Sequence, residues 1–359
     1  MTTLAGLGWD DAWAGAYAPH ARPGHWPARV IRGDRGVCTV LGPAGTGRAS
    51  AGGGLLAAAA GDPRLLPCAG DWVVVRDWPD GRTTIEAVLP RRTRVVRAQA
   101  DRRSLGQVLA ANVDALAVVE PMDPAPDLAR IERLLAVAWE SGARPLVVLT
   151  KTDLVPDPAA VAAQVADTVA GAPVLALSAH RRAGLAQLAP EIRPGRTLGL
   201  LGSSGSGKST LVNALAGATV MATQGLRRRD GRGRHTTTYR ALVPLPGGGC
   251  VLDTPGLRGV ALHGDGDGLD DSFGDVTGLA AGCRFRDCTH RVEPGCAVLA
   301  AVANGLLAPR RLESWRHLQR EVAARRRRTD ARAAAEQRSV WRRRIQDQRA
   351  ARRARGIGR

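Results

Sequence analysis

Residues 198–215 read LGLLGSSGSGKSTLVNAL. A short apolar strand, Leu198–Leu201, enters a glycine-rich loop of Gly202, Ser203, Ser204, Gly205, Ser206, Gly207, Lys208, Ser209 and Thr210, and a helix over Ser209–Leu215 follows. Strand, GxxxxGK[ST] and helix in this order form a phosphate-binding loop. The glycines let backbone N–H groups curl around phosphate oxygens, and the helix N-terminus adds favourable dipole charge. Lys208 is placed to reach the β- and γ-phosphates, and the Ser209 hydroxyl to ligate Mg²⁺. Downstream, Asp253-Thr-Pro-Gly256 closes the strand Cys250–Leu252. Its carboxylate is expected to hold Mg²⁺ through water, and the Gly256 N–H to meet the γ-phosphate.

Upstream of the loop, Thr150-Lys151-Thr152-Asp153 follows the strand Arg144–Leu149. A carboxylate there can accept from both N1–H and N2–H₂ of guanine, a donor pair that adenine lacks, so the base is discriminated by hydrogen bonding. Lys151 can lie along the base, and Ser178-Ala179, after the strand Val174–Leu177, can offer an N–H to guanine O6. The chain has only two lysines, Lys151 and Lys208, against a background of arginine, and both fall in these motifs. Alternating strands and helices over residues 100–265 predict a parallel α/β sheet.

The flanks differ in kind. Residues 1–26 are polar and Gly/Pro-rich, and are expected to be a flexible N-terminus. Residues 27–99 hold strand-like pieces (Ala28–Arg32, Gly36–Leu41, Asp71–Arg76 and Thr83–Leu89) separated by turns and by a Gly/Ala insertion at Gly42–Gly61. They predict a small β-barrel of the OB or SH3-like sort. Residues 266–325 carry Cys283, Cys288, His290 and Cys296, three thiolates and one imidazole, a full tetrahedral shell for structural Zn²⁺. The remaining cysteines, Cys38, Cys68 and Cys250, sit in apolar contexts and read as buried small hydrophobes. Residues 326–359 form an Arg-rich tail. Formal charge is +18, and from Arg310 to Arg359 there are 18 Arg against 5 acidic residues. That excess predicts a polyanionic partner, nucleic acid ahead of membrane. No apolar stretch is long enough to span a bilayer and no signal peptide is visible, so a cytoplasmic, soluble chain is expected, with no membrane partner and as a monomer.

Together these motifs resemble the RsgA family, the ribosome small-subunit-dependent, circularly permuted GTPases of the TRAFAC class. In ordinary GTPases the phosphate loop comes first; here Thr150–Asp153 and Ser178-Ala179 precede it. The resemblance covers about residues 28–320 and implies a multidomain chain: an N-terminal β-barrel (OB fold) that contacts RNA, a permuted α/β P-loop GTPase domain, and a C-terminal zinc-binding module with a helical basic tail. It further implies GTP/GDP, Mg²⁺ and one Zn²⁺ as cofactors, and the small ribosomal subunit and its rRNA as partners. Small-subunit-stimulated hydrolysis would assist late maturation and drive release. The alternative is a GTP-gated rRNA-binding module with negligible hydrolysis, motivated by Leu257, which follows Gly256 where Ras has its water-orienting Gln nearby. In the run Gly231–Thr238, the resemblance implies a catalytic role for His235, while Thr236 and Thr237 are candidates to complete Mg²⁺ coordination. Thr150 departs from the family, which has Asn there. Asn112 and Asp114 also match the family's pattern.

Overall fold

The computed structural model describes residues 3–34, 36–97, 106–169, 171–221, 241–254 and 267–329. Eleven strands among these residues form one sheet whose two halves differ in construction. The first half is a closed barrel of β1 (His25–Gly33), β2 (Val37–Gly42), β3 (Gly45–Ala51), β4 (Trp72–Asp77) and β5 (Thr83–Val88). Around it the order is β1-β2-β3-β5-β4, and β4 returns to β1. All neighbours are antiparallel except β3 and β5, which run parallel. Five strands closed in this Greek-key order are the OB arrangement.

Alternation explains the barrel core. Ala28 and Val30, Cys38 and Val40, and Val73 and Val75 point inward at period two, with Leu55 of α2 (Gly53–Gly61) packed among them. Sequence reasoning takes Gly42–Gly61 as an insertion between strands. Instead it supplies β3 and α2, because pairing on two sides and closure of the core outweigh the weak strand propensity of GTGRASA.

The N-terminus also departs from expectation. Residues 11–17 form α1, capped by the Asp10 carboxylate, which accepts from the Trp13 N–H. Leu7 and Trp13 are buried. Trp9 meets Trp72 edge-to-face with centroids 4.8 Å apart, Trp13 lies 6.2 Å from Trp72, and the Arg92 guanidinium sits 4.5 Å over the Trp13 ring. Aromatic burial, invisible to a composition reading, fixes this segment on the outer face of β4. Trp13→Ala is expected to cost about 3–5 kcal/mol, read as a lower midpoint in urea denaturation.

The second half is the nucleotide sheet. Its order is β10 (Val174–Ala176), β9 (Arg144–Thr150), β8 (Ala115–Pro121), β11 (Thr197–Leu201), β13 (Cys250–Asp253) and β12 (Ala241–Pro244). The first five are parallel and β12 is antiparallel at the edge. Both faces of β8 and β9 are covered, hence their unbroken apolar runs. One face packs on Leu211 and Val212 of α5 (Lys208–Ala216); the other packs on Ile131 and Leu135 of α3 (Leu128–Glu140) and Val165 of α4 (Pro158–Ala166). Chain order runs β8, β9, β10 and only then β11, so the wiring is permuted.

β12 pairs with β1 at Arg32↔Ala241 and so joins the halves. At the junction the buried Arg29 donates to the carbonyls of Leu7, Gly70 and Asn112, three segments distant in sequence. Asn112 and Asp114 have structural work here: Asn112 accepts from the Arg92 N–H and donates to Gly70 O, and Asp114 accepts from the Thr197 N–H at 2.7 Å. A hairpin of β6 (Arg94–Arg97) and β7 (Gln107–Ala111) links the two halves.

The C-terminal part comprises α6 (Asp267–Ser272), α7 (Gly274–Ala280), α8 (Ala297–Ala303) and α9 (Pro309–Thr329). α9 buries Leu312, Leu318 and Val322, the apolar face its spacing predicts. It docks on α3 through Glu132, a fully buried carboxylate that accepts from Arg310, from Arg311 at 2.8 Å and from Ser314 at 2.6 Å. The basic tail therefore begins as an ordered helix; its remainder, from residue 330, lies outside the described residues.

Candidate functional site

β11 is the central strand, flanked by β8 and β13, so its C-terminal end opens where the sheet's connections diverge. That is where α/β sheets bind ligands. The loop 202–207 leaves there and α5 begins at Lys208. Gly202 is required sterically: a Cβ would lie 2.3 Å from Val119 O. Gly207 has φ +95°, a conformation that disfavours any side chain. Ser206 is buried, Ser204 and Gly205 are exposed, and Ser203, Ser209 and Thr210 are half-buried on the rim and first helical turn. Lys208 is buried, and its ammonium donates to Gly202 O at 2.8 Å and Ser203 O at 2.6 Å. Burial pushes its pKa down, opposed by the nearby Asp253 and Glu120 carboxylates.

Asp253 ends β13, beside β11. Its side chain is buried, and Oδ1 has no hydrogen-bond partner among the described residues. Desolvation therefore raises its pKa, with Lys208 acting in the opposite sense. A buried, unpartnered carboxylate oxygen fits a hydrated cation, so Asp253 and Ser209 are a chemically suitable pair for Mg²⁺. Next to it Thr254 is buried and donates to Leu200 O at 2.6 Å, tying the strand end to the root of the phosphate loop.

The segment expected to read the base lies across the same end of the sheet. Thr150, the last residue of β9, is buried and donates through Oγ1 to Ser206 O at 2.7 Å. One hydroxyl thus joins the segment Thr150–Asp153 to the glycine-rich loop. Lys151 is left-handed (φ 61°) and donates to Asp123 O at 3.0 Å. Asp153 is exposed, with Oδ1 accepting from Ser178 Oγ. That hydrogen bond holds its carboxyl below the usual aspartate range. Ser178 is buried, Ala179 half-buried, and the turn there is closed by the bridge between Ser178 and Ala183. The structure thus brings Thr150–Asp153, Ser178, Ala179, Gly202–Thr210 and Asp253 to one edge. His235, Thr236, Thr237, Gly256 and Leu257 lie outside the described residues.

The second cluster stands apart, in the C-terminal part. Cys283 Sγ, Cys288 Sγ, Cys296 Sγ and a His290 ring nitrogen all lie within 4.8 Å of one another. Individual separations are 3.5 Å from Cys283 Sγ to His290 Nδ1, 3.4 Å from His290 Nδ1 to Cys296 Sγ, and 3.8 Å between the Cys283 and Cys296 sulfurs. A tetrahedron with Zn–S near 2.3 Å and Zn–N near 2.0 Å has edges of about 3.5–3.8 Å, so the residues fit a four-coordinate zinc. The sequence explains the shape. Cys296 is the N-cap of α8, its sulfur accepting from the Leu299 N–H, and His290 takes a left-handed turn (φ 55°). Trp315 of α9 packs 5.4 Å from the His290 ring.

Two residues escaped the motif reading. Glu120 is fully buried at the end of β8, and Arg130 reaches it from α3. A glutamate inside the apolar run LAVVEP was the available signal, since a buried carboxylate needs a partner.

The RsgA GTPase family pattern matches residues 88–263. A Streptomyces coelicolor protein named small ribosomal subunit biogenesis GTPase RsgA is 51% identical over 346 residues, covering 96% of this chain and 93% of its own length. A protein of the same name from Opitutus terrae is 46% identical over 364 residues, with 99% of each chain covered. Among solved structures, YjeQ from Thermotoga maritima superposes with a TM-score of 0.59 at 24% identity, covering 83% of this chain and 98% of its own. YloQ, described as a circularly permuted GTPase, gives 0.58 at 22% identity, with 85% and 98% covered. These two likenesses bear on the fold alone. The curated relatives match along nearly the whole chain, across barrel, permuted sheet and cysteine cluster alike, and on that ground the chain belongs to the RsgA GTPase family.

Proposed function

We propose that this chain hydrolyses GTP to GDP and phosphate on the small ribosomal subunit, assists that subunit's late maturation, and leaves it when hydrolysis is stimulated there. The observation that carries the reading is the Thr150 hydroxyl on Ser206 O at 2.7 Å. It couples a guanine-selective segment to a phosphate loop, the minimum a guanine-nucleotide switch requires. The relatives' names supply the subunit.

Asp153 accepts the guanine N1–H and N2–H₂, Lys151 lies along the base, and Ser178-Ala179 present an N–H to O6. Gly202–Thr210 cradle the phosphates, where Lys208 exchanges its two loop carbonyls for phosphate oxygens. Bound Mg²⁺, held by Ser209, by Asp253 through water and by Thr237, would neutralise charge developing on the phosphoryl group. Thr236 and the Gly256 N–H complete the γ-phosphate side, and His235 polarises the attacking water. Cys283, Cys288, His290 and Cys296 hold one structural Zn²⁺. The barrel, zinc module and Arg tail grip rRNA by salt-sensitive contacts. The chain works as a cytoplasmic monomer; among the described residues no helix is long and apolar enough to cross a membrane.

Leu257 favours a second reading, in which GTP only gates rRNA binding. Parallel GTPase assays with purified small subunits, large subunits and no ribosome separate the two. Faster turnover with small subunits alone is the expected result. Equal rates in all three would remove the hydrolysis-driven reading and leave the gate.

A further inference from the structure

We propose that Glu120 is a positioning residue for the guanine site, acting through the segment 121–127 on Lys151. The proposal rests on reading Lys151 and Asp153 as guanine contacts. Glu120 is fully buried at the end of β8. Its Oε1 accepts from the Asp127 N–H at 3.2 Å, and its Oε2 accepts from Arg130 Nε at 3.0 Å. A second Arg130 nitrogen also donates to Oε1.

These bonds close a loop at both ends. At the far end Asp127 is anchored on Glu120 and caps α3 through the Arg130 N–H. At the near end the Met122 N–H donates to Thr150 O at 2.9 Å, and the Met122 side chain is buried. Between them the Asp123 carbonyl holds the Lys151 ammonium at 3.0 Å. Lys151 is left-handed and only half-buried, so its own backbone and packing do little to aim it. The carbonyl that aims it belongs to a loop fixed at its near end on Thr150 O and at its far end on the Glu120 carboxylate.

A purely structural role is less economical. An apolar side chain would end a strand buried on both faces without the desolvation penalty that a carboxylate carries. The charge is useful where it fixes geometry: the Arg130 fork gives a bidentate, charge-assisted hold that a neutral residue lacks. The proposed guanine site therefore has a third element, the β8–α3 loop, which reaches it through the Asp123 carbonyl on Lys151.

The test is a double-mutant cycle on GDP affinity, by calorimetric titration of the full chain. Glu120→Gln keeps shape and the bond to Asp127 but loses charge. It is expected to weaken GDP by about tenfold in the natural background and to change nothing further in Lys151→Ala. A tenfold loss of equal size in both backgrounds, or no loss in either, overturns the proposal. If Glu120→Gln fails to fold, Arg130→Lys, which keeps the charge and gives up the fork, goes through the same cycle with the same two outcomes. Titration of the natural chain with GDP and ADP separates this from the underlying reading. Equal affinities, or a Lys151→Ala chain that binds GDP as the natural one does, would refute the guanine site itself and the proposal with it.

Discussion

Asp153→Asn is expected to bind GDP on the order of 10⁴-fold more weakly and to bind xanthosine diphosphate in its place, because a polar site rejects a base whose hydrogen-bonding groups it leaves unpaired. The carboxylate offers two acceptors to the guanine N1–H and N2–H₂. An amide offers one acceptor and one donor. Ser178 Oγ already donates to Asp153 Oδ1. In the variant that bond keeps the amide oxygen on Ser178 and leaves the amide nitrogen where the second carboxylate oxygen stood. Facing guanine N2–H₂ it is donor against donor; facing the xanthine O2 it is donor against acceptor. Calorimetric titration with GDP, xanthosine diphosphate and ADP reads both halves. The pH profile is a control. The Ser178 hydroxyl lowers the Asp153 pKa below its ordinary 3.8. A depressed carboxyl stays charged until pH falls through the folded value, so nothing at Asp153 titrates between pH 8 and about 5. GDP affinity that survives the substitution unchanged would place the base elsewhere.

The nucleotide half of the fold was legible because its signals are local. Gly202–Thr210 and Thr150–Asp153 are contiguous and sit at strand ends, and the apolar runs mark the strands themselves. The cluster of three cysteines and a histidine was legible for the same reason, all four residues falling within 283–296. What stayed hidden was long-range. Trp9 and Trp13 order the N-terminus only because Trp72, some sixty residues on, gives them a surface. GTGRASA becomes β3 only because β2 and β5 flank it. The reach of Thr150 to Ser206 needs the phosphate loop folded beside β9, which no spacing in the chain encodes. Glu120 interrupts an apolar run, but its partner Arg130 sits across a loop, and the pair went unread.

The α3 helix draws these parts together. Arg130 on its first turn holds Glu120 at the end of β8, and Glu132, two residues along, holds Arg310, Arg311 and Ser314 of α9. Arg311 also pairs with Asp275 and donates to Ser272 O. One helix therefore touches both the end of β8 and the root of the basic tail. It also sets how far damage in the C-terminal part should spread.

Cys296→Ser is expected to lose the zinc, from about one ion per chain to near none by elemental analysis, and to open the C-terminal part while GDP binding persists. Cys296, the proposed metal donor, is also the N-cap of α8, and its sulfur accepts from the Leu299 N–H. The serine oxygen can still cap the helix, since Ser is a favoured N-cap, so the substitution tests the metal rather than the cap. Structural zinc stabilises small modules by roughly 10–16 kcal/mol in isolated fingers. Here Val276, Val298 and Ala301 join a core continuous with Ala136 and Val137 of α3, and the Arg311–Glu132 contact ties α9 to α3 independently of the metal. The loss should therefore be local. Amide exchange over residues 283–303 is expected to speed up by on the order of 10³-fold or more, with smaller changes around Trp315, which packs on His290. Residues 197–201 and 208–216 should exchange as before. A chelator acting on the natural chain should reproduce the pattern, and added Zn²⁺ should reverse it. Full protection of residues 283–303 in the metal-free chain would mean that the four donors converge without a metal to hold them, and would overturn the zinc assignment.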